Sequence, residues 1–187
     1  VDLGICPTSA LQLAVQNSFA AGGLAITAGH NPREWNALKS VRGDGNFLNP
    51  TEANELLDIY HQGEFTRVRW DELRPIASDE SAGQRHVEAV YRELDNDDIR
   101  RGGLMVAIDC VNGACSEYAP LLLEMLDIEY VAMNTEIDLP FPHDPQPDAQ
   151  NLTQLQALVK ATTADVGFAF DADGDRIGMV CDDGTAP

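Results

Sequence analysis

Asp171, Asp173 and Asp175 stand at alternate positions of Phe168-Ala169-Phe170-Asp171-Ala172-Asp173-Gly174-Asp175-Arg176, directly after an apolar run. Carboxylates brought to one point by a turning loop are hard oxygen ligands of the kind that suits Mg²⁺ or Ca²⁺. Acids this close repel one another unless a cation neutralises them. A solvated acidic loop is the alternative, and it leaves the flanking apolar segments unexplained. An EF-hand loop also opens on alternating Asp residues. Here its sixth position, which should be Gly, is Arg176, its twelfth, which should be Glu, is Asp182, and both flanks read as strands.

The second chemically loaded segment is Thr27-Ala28-Gly29-His30-Asn31-Pro32-Arg33-Glu34-Trp35-Asn36-Ala37-Leu38-Lys39. It sets His30, Asn31, Asn36 and Lys39 at the mouth of a strand, where ligands of α/β sheets sit. His30 has two readings at this point: a turn residue satisfying backbone groups, or an acid/base group.

Both loops need elements to hold them, and apolar runs of strand length alternate with amphipathic stretches along the whole chain. The pattern predicts a strand over 1–6, a turn at Pro7-Thr8-Ser9, and a helix capped by Thr8 or Ser9. That helix buries Leu11, Leu13, Ala14, Phe19 and Ala20 and is stopped by Gly22-Gly23. A buried strand over 24–27 leads into the His30 loop. Extended structure resumes at 37–41, and Gly43-Asp44-Gly45-Asn46 makes a hairpin turn. Asn49-Pro50-Thr51-Glu52 opens a helix to about His61, with Asn49 as cap, Pro50 in the first turn and Glu52 reaching back. A connection over 70–81 precedes a helix with Val87, Val90, Tyr91 and Leu94 on one face, and 95–103 reads as a charged turn. Strands at 104–109, 128–133, 166–170 and 177–181 then alternate with helices at 118–126 and 152–162. The expected architecture is α/β, in two three-layer α/β/α domains with mixed sheets: residues 1–77, a connecting helix and linker over 78–99, and residues 100–187.

Composition narrows the function classes. With 187 residues, 44% of them hydrophobic, the chain is long enough to bury a real core. No apolar run approaches the roughly 20 residues that span a bilayer. The opening Val1-Asp2-Leu3-Gly4 lacks the basic and apolar regions of a signal peptide, so the expected compartment is the cytoplasm and no membrane partner is expected. Cys6, Cys110, Cys115 and Cys181 lack zinc spacing and read as reduced, mostly buried thiols. A formal net charge of −19, from 31 acidic and 12 basic residues, argues against nucleic acid. Because ten of the twelve basic residues are Arg, the balance also suits a cytoplasm of high salt, where screening relieves self-repulsion.

Taken together, these residues resemble the α-D-phosphohexomutases, the phosphoglucomutase, phosphomannomutase and phosphoglucosamine mutase family. Residues 27–39 are similar to that family's phosphoserine-loop pattern T-A-S-H-N-P-x-x-x-N-x-x-K, and 171–176 to its metal loop D-x-D-x-D-R. Gly4-Ile5-Cys6-Pro7-Thr8-Ser9 resembles the segment before the active serine, and Asp109-Cys110-Val111-Asn112-Gly113-Ala114 the opening of the second domain. Phe141-Pro142-His143-Asp144-Pro145-Gln146-Pro147 has a counterpart in the loop before the last helix of the metal domain. The resemblance covers nearly the whole chain but about the first half of the family architecture, which implies a fragment without the sugar-reading third and phosphate-clamping fourth domains.

The resemblance implies a Mg²⁺-dependent interconversion of hexose 1-phosphate and hexose 6-phosphate through a phosphorylated enzyme and a hexose bisphosphate. It assigns Asp171, Asp173 and Asp175 to the metal, Arg176 and Asn31 to phosphate or substrate, and His30 and Lys39 to acid/base work. Lys39 is favoured for that work on the expectation that a nearby cation lowers its pKa. The family's phosphoserine position is Gly29 here, and glycine offers no nucleophile. Three explanations follow: an inactivating substitution, a homologue that binds phosphosugars without turnover, or a different nucleophile. Thr27 and Ser40 do not match the motif position. An aspartyl-phosphate enzyme using Asp171 is a further alternative, and it has no reason to carry residues 27–39.

Overall fold

In the computed structural model, which describes residues 1–63 and 65–187, the strand β3 (Met105–Asp109) is the buried centre of the larger sheet. Its sequence MVAID is apolar up to its last residue, as a strand covered on both faces requires. β3 pairs in parallel with β4 (Glu129–Met133) and with β5 (Val166–Phe170), and β6 (Ile177–Cys181) closes the far edge antiparallel to β5. The order β4-β3-β5-β6 makes this a mixed sheet.

Two helices cover its faces. On one side α6 (Thr153–Thr162) buries Leu155 and Val159 against Ala107, Ala169 and Val180. A Cβ at Gly167 would lie 2.7 Å from Val159 Cγ2, so that glycine lets helix and sheet approach. On the other side α5 (Tyr118–Met125) packs Ala119 and Leu123 over Val106, Ile108, Cys110 and Cys115. Burying one such aliphatic side chain contributes about 1.5–3 kcal/mol.

Residues near the N-terminus form a smaller assembly. α1 (Thr8–Gln16) lies on a two-stranded antiparallel sheet of β1 (Gly22–Ile26) and β2 (Leu38–Arg42), with Gly22 opposite Arg42 and Ile26 opposite Leu38. Beyond β2 the chain reverses at the Gly43–Asn46 turn, where the Arg42 N–H donates to Asn46 O. α2 (Pro50–Gln62) begins as its sequence foretells: Asn49 Oδ1 accepts from Thr51 and Glu52 N–H, and the Glu52 carboxylate accepts from Asn49 N–H. α3 (Ala82–Glu93) packs against both α1 and α5 and so ties the two sheets' helices together.

Several local expectations are corrected. Residues 1–6 form no strand, only a bridge from Asp2 to Ser78. α1 ends at Gln16 without help from Gly22-Gly23, which belong to β1. A Cβ at Gly23 would meet Val15 Cγ2 at 2.7 Å, so close packing on α1 is what needs that residue. Phe19 and Ala20 are exposed, and β1 alternates rather than being buried, with Leu24 and Ile26 turned outward. Residues 95–103 are not a turn: α4 (Asn96–Gly102) is capped by Asp95, whose carboxylate accepts from Asp98 N–H, and ends at Gly103 in the left-handed region. Seven residues carry too little apolar periodicity to show themselves as a helix. No helix among the described residues is long and apolar enough to cross a membrane.

Candidate active site between two loops

The acidic loop leaves the end of β5 and doubles back into β6. Asp171 makes that turn possible: its Oδ1 accepts from Asp175 N–H at 3.0 Å and Arg176 N–H at 3.1 Å, while Gly174 takes φ +69°. The bonds also aim the carboxylates. Asp171, Asp173 and Asp175 each offer an oxygen to a common point, these atoms lying within 4.8 Å of one another. Asp171 is fully buried and Asp173 nearly so.

Asp173 Oδ2 accepts from Thr8 Oγ1 at 2.7 Å and Lys39 Nζ at 2.5 Å, and Lys39 Nζ also reaches Asp175 Oδ2 at 2.6 Å. Two buried oxygens remain, Asp171 Oδ2 and Asp173 Oδ1, with no hydrogen-bond partner among the described residues. A buried carboxylate oxygen without a partner is destabilising by about 1–3 kcal/mol or more. A divalent cation with oxygen ligands is the partner that this donor set fits.

The charges respond to this crowding. Burial, and then the neighbouring charges of Asp173 and Asp175, push the Asp171 carboxyl up to about 7 against the opposing bond from Arg176 N–H. Burial likewise acts to raise Asp175, but Lys39 outweighs it and holds that carboxyl below its ordinary value. For Lys39, burial alone would lower the ammonium's pKa, yet its bonds to Asp173 and Asp175 outweigh burial and raise it. The sequence expectation of a lowered Lys39 is therefore corrected, because its neighbours here are carboxylates rather than a cation.

The second loop arrives between β1 and β2. Gly29 is buried with φ +58°, and its N–H donates to Thr27 Oγ1 at 3.0 Å. A Cβ built on Gly29 would lie 3.4 Å from Asp173 Oδ1, 3.5 Å from Lys39 Nζ and 3.8 Å from Asp171 Oδ2. Position 29 thus faces the acidic cluster directly, and Lys39, from β2, comes to the same place.

Other sequence candidates are less converged. Asn31 closes its own loop, donating from Nδ2 to Ala28 O at 2.8 Å. Arg176 is half-exposed, its Nε 4.0 Å from Asp175 Oδ1. His30 adjoins Gly29 in sequence and makes no hydrogen bond to the acids among the described residues.

Sequence reasoning missed Thr8 at this site. Expected with Ser9 as a cap candidate, Thr8 is instead the first residue of α1, which Pro7 precedes without any side-chain cap bond. Both its Oγ1 and its N–H are given to Asp173, the latter donating to Asp173 O at 2.9 Å. This pins the start of α1 onto the acidic loop across 165 residues of chain. No local signal separates such a threonine from an ordinary cap. The backing of the loop was missed as well: a Cβ at Gly113 would lie 2.6 Å from Ala172 O, and one at Gly174 2.5 Å from Cys115 Sγ.

The chain is similar in sequence and fold to known proteins. The sequence is 35% identical over 185 residues to the "Probable phosphoglucosamine mutase" of Methanopyrus kandleri, covering 98% of this chain and 40% of that protein. It is 36% identical over 187 residues to the phosphomannomutase/phosphoglucomutase of Pseudomonas syringae pv. tomato, covering 98% of this chain and 38% of the relative. A phosphoglucomutase/phosphomannomutase family protein of Burkholderia thailandensis superposes with a TM-score of 0.78 at 27% identity, over 99% of this chain and 40% of that one. The chain thus spans about 40% of the length of these relatives. The family models for "Phosphoglucomutase/phosphomannomutase, alpha/beta/alpha domain I" and "domain II" match residues 1–67 and 84–184, so the chain belongs to the phosphoglucomutase/phosphomannomutase family.

Proposed function

We propose that this chain contributes the phosphoryl-transfer and Mg²⁺ loops of a phosphohexomutase that interconverts hexose 1-phosphate and hexose 6-phosphate in the cytoplasm. The observation that supports this reading most strongly is the convergence of position 29, Lys39 and three carboxylates within about one side-chain length. Asp171, Asp173 and Asp175 would hold the ion, and the two partnerless oxygens on Asp171 and Asp173 are suited to it. When bound, Mg²⁺ supplies charge stabilisation for a transferring phosphoryl group.

The chain's own residues do the rest. Lys39 holds a proton at Nζ between Asp173 and Asp175, so it is poised to pass one to, or bind, a phosphoryl oxygen placed beside Gly29. His30 is the second acid/base candidate, adjacent to the transfer position. Arg176, beside Asp175, and Asn31, in the loop after Gly29, are the phosphate and substrate candidates, since an arginine fork and an amide suit phosphate and sugar hydroxyls. Thr8 keeps Asp173 oriented towards Lys39. The division into 1–77, 78–99 and 100–187 belongs to the same proposal, with the linker helix joining the two loops' domains.

Gly29 sets the limit on this activity. With no hydroxyl at that position the chain stores no phosphoryl group there, and the two-step transfer through the enzyme stops. A second reading, a phosphosugar-binding homologue without turnover, is favoured by this same glycine.

Phosphoryl capture separates the two. The parent and a Gly29→Ser variant are incubated with Mg²⁺ and glucose 1,6-bisphosphate, and every phosphorylated residue is mapped by mass spectrometry. The mutase reading expects the hydroxyl introduced by Gly29→Ser to gain a phosphoryl group and the parent to gain none. Equal labelling of the parent would place the nucleophile elsewhere and sink this assignment. Binding of the bisphosphate by both forms without labelling of either would give the binding-protein reading the lead.

A further inference from the structure

His143 lies outside the acidic loop, yet its ring is held at both nitrogens. Nε2 is 2.9 Å from Asp109 Oδ2 and Nδ1 is 2.8 Å from the carbonyl of Asp144. The Asp144 carbonyl and an ionised Asp109 carboxylate only accept hydrogen bonds, so with Asp109 ionised both ring nitrogens donate and the imidazolium is the form that satisfies the geometry. A neutral ring would set two acceptors against each other at one of the two contacts. Asp109, at the end of β3, is almost wholly buried, and its other oxygen accepts from Val111 N–H at 3.0 Å and Asn134 Nδ2 at 2.9 Å.

This cluster leads to the acidic loop by a short path. Asn112 donates to Pro140 O at 2.9 Å and accepts from Glu136 N–H at 2.9 Å, so it joins the segment that carries His143 to the turn after β3. That turn is strained: Val111 and Asn112 have φ of 48° and 57°, a conformation that side chains disfavour. Beyond them, Ala114 N–H donates at 2.8 Å to the carbonyl of Ala172, the residue between Asp171 and Asp173. Gly113 packs so tightly on Ala172 that a Cβ would have no room.

We propose that His143 is a positioning residue for the acidic site: bridging Asp109 and Asp144, it holds the 110–115 turn in the strained shape on which the Asp171–Asp175 loop rests. The proposal rests on the reading of that loop as a divalent-cation site and adds to it a distant residue that tunes affinity. Removing a hydrogen-bonded support behind metal ligands weakens binding by about 10–100-fold. The charged groups facing His143 are Asp109 and Asp144, both acidic, and the bond to Asp109 does most to raise its pKa, against the opposing effect of burial. The raised value means that the clamp is complete at low pH and loosens as pH rises through the folded-state pKa.

Two measurements test this on the 187-residue chain. The first is Mn²⁺ affinity, by calorimetry or EPR, for the parent, His143→Gln, Asp109→Asn and, as a ligand-loss control, Asp173→Asn. The expected result is binding by the parent, loss in Asp173→Asn, and about tenfold weaker binding in His143→Gln and Asp109→Asn. The second is the ¹⁵N spectrum of the four histidines, read against pH together with amide exchange at 110–115. His143 is expected to show the doubly protonated pattern at a pH where His86 is neutral, and exchange at 110–115 is expected to quicken as His143 titrates. Parent-like Mn²⁺ affinity in His143→Gln, or a neutral His143 ring near its unperturbed pKa, overturns the positioning role while leaving the cation site standing. A parent that binds no Mn²⁺ removes the cation site and this proposal with it. Should the substitutions unfold the chain, the ¹⁵N titration of the parent still decides the matter.

Discussion

A serine placed at position 29 would set its Cβ 3.4 Å from Asp173 Oδ1 and 3.5 Å from Lys39 Nζ, distances of ordinary contact. Space therefore admits the side chain, and the backbone resists it: at φ +58° an L-residue is disfavoured by about 1–2 kcal/mol. Gly29→Ser is expected to lower unfolding free energy by that amount in urea titration, and a loss several times larger would show that the loop does not tolerate a nucleophile. Asp171 makes the pH prediction. Its folded-state pKa is raised to about 7, so its contribution to stability is full below the unfolded value and is lost as pH rises through the folded one. Relative to Asp171→Asn, the metal-free parent should thus melt lower at about pH 8 than at about pH 5. Added Mg²⁺ should raise the parent's Tm more at the higher pH, where the carboxylate is ionised. Identical pH profiles for the parent and Asp171→Asn would show that the burial of Asp171 is relieved by something other than a proton.

Elements differ in how much they depend on the rest of the molecule. α2 is held at its start by a capping box and buries no residue, so its local bonds matter more than its packing. Asn49→Ala should destabilise it by about 1 kcal/mol, seen as faster amide exchange over 50–56 with little change elsewhere. α6 is the opposite case, since Leu155 is fully buried between helix and sheet. Leu155→Ala should cost about 2–5 kcal/mol of global stability and, by loosening the end of β5 that carries Asp171, should also weaken cation binding. A global melt that shifts by less than about 1 kcal/mol would mean that the site collapses around the cavity.

At the scale of the whole chain, the −19 formal charge acts everywhere at once. Several ion pairs among the described residues, such as Arg69 with Asp71, are exposed and contribute little. Self-repulsion should therefore govern stability: Tm is expected to climb steadily as KCl is raised from about 0.1 M to about 1 M, where the Debye length falls from roughly 10 Å to 3 Å. A flat or falling curve would show that the acids are spaced widely enough not to repel.

Periodicity and capping were legible where the physics is local. The Asn49 box, the strand limits 166–170 and 177–181, and the alternating Asp residues of the acidic loop all follow from spacing within a few residues. α4 escaped because its seven residues bury almost nothing, and the exposure of β1 escaped because burial depends on what lies opposite a strand rather than on its own residues. Three carboxylates and a His-Asn-Lys loop could be read from residue types and spacing, with a glycine at the position that the family resemblance gives to the phosphoserine. Tertiary structure alone decided that Thr8, Gly29, Lys39 and Asp173 meet, that Lys39 is raised by carboxylates, and that His143 reaches Asp109. The hydrogen bonds among them join residues 34 to 165 positions apart, and only the packing of α1, β2 and the sheet ends brings them within reach.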